Sequence, residues 1–177
     1  ALLEEGFDVQ AVVSQPDRPQ GRSRSQLVPP PVKVAALEEG IPVLQPERPV
    51  GDFAAELAAI GADLGVVVAY GHILKPEILA VARLGMINVH ASLLPALRGA
   101  APIKWAILNG NETTGVSIMQ MEAGLDSGPV YHQIETEVAA DETGAELTER
   151  LAELGAAALV EALTLLDAGE AEARPQD

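Results

Sequence analysis

The chain contains no cysteine. That absence excludes disulfides, thiol nucleophiles and thiolate metal sites together, and it agrees with a reducing, cytoplasmic setting. Histidine is scarce as well. His72, His90 and His132 are the only three, too scattered for a metal-ligand spacing such as H-E-x-x-H, so no metal is expected. No apolar run approaches the roughly 18 residues needed to cross a bilayer, and the opening residues do not read as a signal peptide. A membrane partner is therefore not expected. A G-x-G-x-x-G fingerprint between an early strand and helix is also missing, which leaves little support for a dinucleotide-binding module.

What is present is a chain of 177 residues with 48% hydrophobic content, enough for one good core and too apolar for disorder. The net charge of −15 argues against a nucleic-acid partner when taken as a sum. Its distribution changes that reading. Residues 130–177 hold twelve acids against Arg150 and Arg174. Residues 16–33 instead carry Arg18, Arg22, Arg24 and Lys33 against Asp17 alone. A basic loop stands apart from an acidic region.

Strands and helices alternate along the chain. Residues 1–5 read as the end of a helix closed by Gly6, and Phe7 to Ser14 as a strand rich in β-branched residues. Gln15 to Pro31, with its prolines and arginines, reads as a long exposed loop of the kind that is often functional. A short helix over Val32–Glu39, a strand near Ile41–Leu44 and a helix over Asp52–Ile60 follow. Ala62 to Ala69 is nearly all apolar, the pattern of a strand buried on both faces. Pro76 opens a helix, Gly85–His90 is a strand, and Ala100–Leu108 is a helix. Thr114–Met121 and Val130–Val138 are strands joined by so short a loop that they must be antiparallel. Thr143 with Glu146 forms a capping box for a helix reaching about Asp167, ended by Gly169. The polar residues 170–177 resemble a linker. This order specifies an α/β fold with a doubly wound, mostly parallel but mixed sheet.

The chemistry concentrates in two runs. Asn88-Val89-His90-Ala91-Ser92-Leu93-Leu94-Pro95 places an amide and an imidazole two residues apart on a strand, hence on one face. Gly124-Leu125-Asp126-Ser127-Gly128-Pro129 places a carboxylate in a glycine-flanked loop. Acyl transfer to an amine needs these three parts. A preorganised amide donor stabilises an oxyanion by roughly 3 kcal/mol, an imidazole takes the amine's proton, and a carboxylate orients the imidazole. One polar residue at a strand end is more often structural. Three at the carboxyl ends of strands in an open α/β sheet reverse that balance, because ligands bind there.

These runs resemble the folate-dependent formyltransferases. The resemblance covers about Gly6 to Asp167 and implies a formyltransferase-type sheet whose first, central strand is absent from this sequence. It also implies a catalytic domain over residues 1–169, with 170–177 leading towards an absent carboxyl-terminal β-barrel domain. Asn88, His90 and Asp126 match the family's catalytic set. The co-substrate implied is 10-formyltetrahydrofolate. Ser92, Leu93, Leu94 and Pro95 match the folate-contacting loop, while Tyr70, Gly71, Ile73, Leu74, Gly124 and Leu125 match the walls that hold the pterin. The apolar members of both sets also fit ordinary core. Gln15-Pro16-Asp17-Arg18-Pro19, then Gly21, Arg22 and Pro31-Val32-Lys33-Val34, with Arg98-Gly99-Ala100-Ala101-Pro102-Ile103, are similar to runs in members that formylate initiator methionyl-tRNA. Arg18, Arg22, Arg24 and Lys33 would then pair tRNA phosphates. A monomer is expected. Members acting on a sugar-nucleotide amine or on glycinamide ribonucleotide would carry the same catalytic set, and a non-catalytic α/β binding fragment is the reading from another class.

Overall fold

The computed structural model describes residues 1–20 and 26–177. Its first half comprises β1 (Val12–Val13), β2 (Arg18–Gln20), β3 (Gln26–Val28), α1 (Pro31–Glu38), β4 (Val43–Leu44) and α2 (Phe53–Ile60). The second half comprises β5 (Gly65–Val68), α3 (Pro76–Leu79), β6 (Met86–His90), α4 (Pro102–Leu108), β7 (Thr113–Gln120), β8 (Val130–Glu137) and α5 (Gly144–Ala168). Three helices begin on proline, whose missing N–H costs nothing in a first turn. The longest, α5, begins on the expected capping box, with Thr143 and Glu146 exchanging side-chain and backbone hydrogen bonds. Gly169 ends it in the left-handed region at φ 70°.

The sheet is mixed, as expected, and it falls into two pieces. β1 pairs parallel with β4, and β5–β6–β7–β8 form a second sheet. In that sheet β5 and β6 are parallel, while β6–β7 and β7–β8 are antiparallel. Alternation along β6 splits its side chains between two cores. Ile87 packs with Val116, Ile118 and the apolar stripe of α5 (Leu147, Leu151, Ala158, Leu159). Met86 faces the other way and joins Phe53 of α2, Ile78 of α3 and Leu74. Asn88 and His90 share the face of Met86, so neither is committed to the α5 core. Gly155 lets α5 approach closely, since a Cβ there would lie 3.1 Å from Val89 Cγ1.

Three expectations change. The strand expected over Phe7–Ser14 contracts to Val12–Val13, the only residues with a partner strand beside them. The loop expected over Gln15–Pro31 contains the antiparallel pair β2–β3, in register Arg18↔Val28, because backbone pairing needs no apolar pattern when both faces are wet. The strand expected to be buried on both faces is not: Val66 and Val68 of β5 are 36% and 57% exposed. They lie on the α5 side of the sheet, but α5 packs over β6, β7 and β8 and stops short of them. The polar tail folds back, with Arg174 and Val130 exchanging both backbone hydrogen bonds at 2.9 and 2.8 Å.

Candidate active site

The parallel pair β5–β6 sets the site's location. Both strands end at the same edge, with Val68 abreast of Val89, so the loop from Tyr70 and the loop from Ala91 leave the sheet side by side. His90 is the last residue of β6 and opposes Ser117 of β7. Its side chain is 7% exposed. Asn88, half-buried, precedes it on the same face, and its amide makes no hydrogen bond to the protein among the described residues.

Asp126 arrives from the β7–β8 loop. Its Oδ2 lies 3.7 Å from His90 Nδ1 and accepts the Gly99 N–H at 2.8 Å. On the far side of the ring, His90 Nε2 lies 3.0 Å from the Leu97 carbonyl oxygen. A carbonyl can only accept, so Nε2 carries the ring proton. Nδ1 is left facing Asp126, so a proton carried there meets a carboxylate. Asp126 is held at φ +46°, a region costing most residues of its size about 1–3 kcal/mol but which aspartate tolerates better. Gly128 is required beside it, because a Cβ there would collide with the Gln120 backbone oxygen.

The Ser92–Pro95 loop is anchored from below. Ser117 Oγ donates to the Ser92 carbonyl at 2.6 Å and accepts from the Leu94 N–H at 3.0 Å. It also accepts from Gln133 Nε2 at 2.8 Å, which donates as well to the Leu94 carbonyl at 2.9 Å. Ser92 Oγ donates to Ala96 O at 2.6 Å. Leu94 is buried against Met119 and Val130, so its side chain and both its backbone polar groups are engaged internally. Leu93 packs towards Gly115. Ser117 and Gln133 escape a reading of motifs alone. The available signal was one hydroxyl within the apolar run Val116–Met119.

Of the wall residues, Leu74 is buried in the core with Phe53, whereas Ile73 and Leu125 stand 88% and 69% exposed. Leu125 covers Gly99, with its Cδ2 3.3 Å from where a Cβ would sit. Gly71 and Gly124 are exposed. Tyr70 and His72 face each other with ring centroids 5.3 Å apart. Tyr70 Oη and His72 Nε2 are buried with no hydrogen-bond partner among the described residues, and burial raises the Tyr70 pKa. Two orphaned polar groups beside exposed apolar side chains fit a flat heteroaromatic ligand.

The basic residues divide. Arg18 lies on β2, where its Nη2 donates to Gln15 Oε1 at 3.2 Å. Arg22 and Arg24 lie outside the described residues. Lys33 turns inward, its Nζ 2.8 Å from Asp17 Oδ2 and 2.7 Å from Gln45 Oε1. Hydrogen bonds from Gln45 and from Lys33 hold the Asp17 carboxyl below its usual range. The described residues include no helix long and apolar enough to cross a membrane.

Comparison with known proteins gives the family and the fold. The family model described as formyl transferase matches residues 2–163. The methionyl-tRNA formyltransferase of Synechococcus sp. (strain JA-3-3Ab) is 51% identical over 173 residues, covering 97% of this chain and 53% of that protein. Among solved structures, glycinamide ribonucleotide transformylase 1 from Geobacillus kaustophilus superposes with a TM-score of 0.75 at 26% identity, over 93% of this chain and 88% of that one. The formyltransferase PseJ from Anoxybacillus kamchatkensis, in complex with tetrahydrofolate and a UDP-formamido sugar, shares the fold at a TM-score of 0.66 and 23% identity, over 94% and 81% of the two chains. The chain spans about half the length of the curated relatives it matches.

Proposed function

The chain belongs to the formyl transferase family, and from that premise we propose that it carries the catalytic domain of an enzyme formylating the amino group of methionyl initiator tRNA. The formyl donor in this reading is 10-formyltetrahydrofolate, which supplies an activated one-carbon acyl group. The observation that carries the reading is the convergence of Asn88, His90 and Asp126 at one strand end, in a chain half identical to methionyl-tRNA formyltransferases.

Each residue has a distinct task. Asn88 directs its unengaged amide N–H at the developing negative charge on the transferred carbonyl oxygen, where a preorganised donor contributes roughly 3 kcal/mol. His90 takes the proton lost by the attacking amine at Nδ1, the nitrogen that does not face the Leu97 carbonyl, and returns it to the donor nitrogen as the bond from that nitrogen to the formyl carbon breaks and tetrahydrofolate leaves. Asp126 stands behind that proton and stabilises the imidazolium. Tyr70, His72, Ile73 and Leu125 receive the flat ring system of the donor, a reading supported by the orphaned polar groups of Tyr70 and His72 beside the exposed Ile73 and Leu125. Ser92, Leu93 and Pro95 close the floor below it. Arg18 with Arg22 and Arg24 meets tRNA phosphates, while Lys33 braces the hairpin from within.

Residues 1–169 carry the catalytic motifs in this reading, and the segment after them packs back against β8 through Arg174. A monomer in the cytoplasm completes the picture. The test is an assay of the full-length protein with 10-formyltetrahydrofolate and three amines: methionyl initiator tRNA, an amino-sugar nucleotide and glycinamide ribonucleotide. Formylation of the tRNA alone is expected. Preferential turnover of either small amine would overturn the assignment of substrate.

A further inference from the structure

The segment after α5 reaches back into the site through a single side chain. Arg174 is fixed to the start of β8 by its paired backbone hydrogen bonds with Val130, and Gln176 follows two residues later, on the same side of an extended segment. Its Nε2 donates to the Asp126 carbonyl at 2.9 Å and to the Gly128 carbonyl at 2.7 Å. Its Oε1 accepts from Arg98 Nε at 2.9 Å. The guanidinium offers only donors and the two carbonyls only acceptors, so this amide has one workable orientation.

The contacts close a ring. Arg98 is followed by Gly99, whose N–H donates to Asp126 Oδ2, and Gln176 ties Arg98 to the backbone of Asp126 itself. Asp126 is thus held at both ends, its carboxylate Oδ2 by Gly99 and its backbone carbonyl by Gln176. That matters because Asp126 sits at φ +46°, where its carbonyl and that of Gly128 have no backbone partner among the described residues.

We propose that Gln176 is a positioning residue for the catalytic carboxylate, setting the distance between Asp126 and His90 from a segment outside the catalytic motifs. The inference rests on the formyl-transfer reading for its kinetic consequence, though not for its geometry. A carboxylate loosened at this point no longer faces His90 Nδ1 when the proton arrives, so turnover suffers while donor binding does not.

The test uses the full-length enzyme. Gln176→Glu retains the volume and the acceptor for Arg98 but removes both donors, and Gln176→Ala removes everything. Both variants should lose about 10–100-fold in kcat, the usual consequence of releasing a supporting contact, with the KM for formylfolate and cooperative unfolding retained. In an Asp126→Asn background, Gln176→Glu should cause no further loss, because its effect runs through Asp126. Wild-type kcat for Gln176→Glu, or losses that multiply with those of Asp126→Asn, would overturn the proposal. Hydrogen exchange at the Gly99 amide gives an independent reading and should quicken roughly tenfold in Gln176→Glu; unchanged protection there also overturns it. If the wild type formylates none of the three amines, the functional reading fails, and the exchange experiment still decides the positioning.

Discussion

Asp126 shows how much of this site depends on groups that carry no chemistry themselves. Its carboxylate lies 3.7 Å from His90 Nδ1 while Gly99 donates to its Oδ2 and Gln176 to its backbone carbonyl, and Gly128 leaves room for the loop to turn. Replacing Asn88, His90 or Asp126 by alanine should lower turnover by about two to four decades each, the usual range for oxyanion donors and general bases. Folding should survive, since none of the three belongs to either large apolar cluster. Steady-state kinetics alongside thermal unfolding checks both parts. A His90→Ala enzyme within about threefold of wild type would remove that residue from the mechanism.

At the scale of elements, the β2–β3 hairpin matters most. It presents Arg18 on a strand, and its base is closed by Asp17, Lys33 and Gln45. Arg18→Glu with Arg22→Glu should weaken tRNA use while leaving folate binding intact, and each lost phosphate contact should reduce the salt slope by about one unit. If the tRNA KM and its salt dependence were unchanged, the hairpin would be an ordinary solvated one. The base of the hairpin should also respond to acid. The Asp17 carboxyl is held below its usual range by Gln45 first and Lys33 second. Its contribution to stability is therefore complete above the ordinary aspartate pKa and is lost as pH falls through the lowered value in the folded protein. Amide exchange in residues 17–20 and 26–28 should accelerate over that acid window, and Asp17→Asn should remove the pH dependence. A pH-independent hairpin in the native protein would count against the ion pair as its closure.

The whole molecule is defined by the break between β1–β4 and β5–β8. Gln15, just past β1, spans to the Tyr70 carbonyl just past β5 at 2.8 Å, so the carboxyl ends of the two sheets meet through a side chain. The facing strand edges carry backbone donors and acceptors, each costing about 1–3 kcal/mol if left unpaired in an interior, and net stabilities are only about 5–15 kcal/mol. Val66 and Val68 add exposed apolar surface beside that edge. Residues 1–177 expressed alone should accordingly be of low stability or aggregate through open edges. A cooperative, ordinary thermal transition of residues 1–177 would show that these open edges are no liability.

Local regularities were legible in the sequence. The Asn88–His90 pair on one face followed from strand alternation, the capping box of α5 from Thr143 and Glu146, and the β7–β8 hairpin from the length of its loop. Each depends on contacts a few residues apart, so composition and spacing suffice. The tertiary structure decided what depends on distant partners. The exposure of Val66 and Val68 turns on where α5 ends, the inward turn of Lys33 on Asp17, and the pairing of β2 with β3 on backbone groups that no side-chain pattern reports. The support of Asp126 is the clearest case. Gly99 and Gln176 lie 27 and 50 residues away along the chain, and only folding brings a backbone amide and a tail glutamine to the same carboxylate loop.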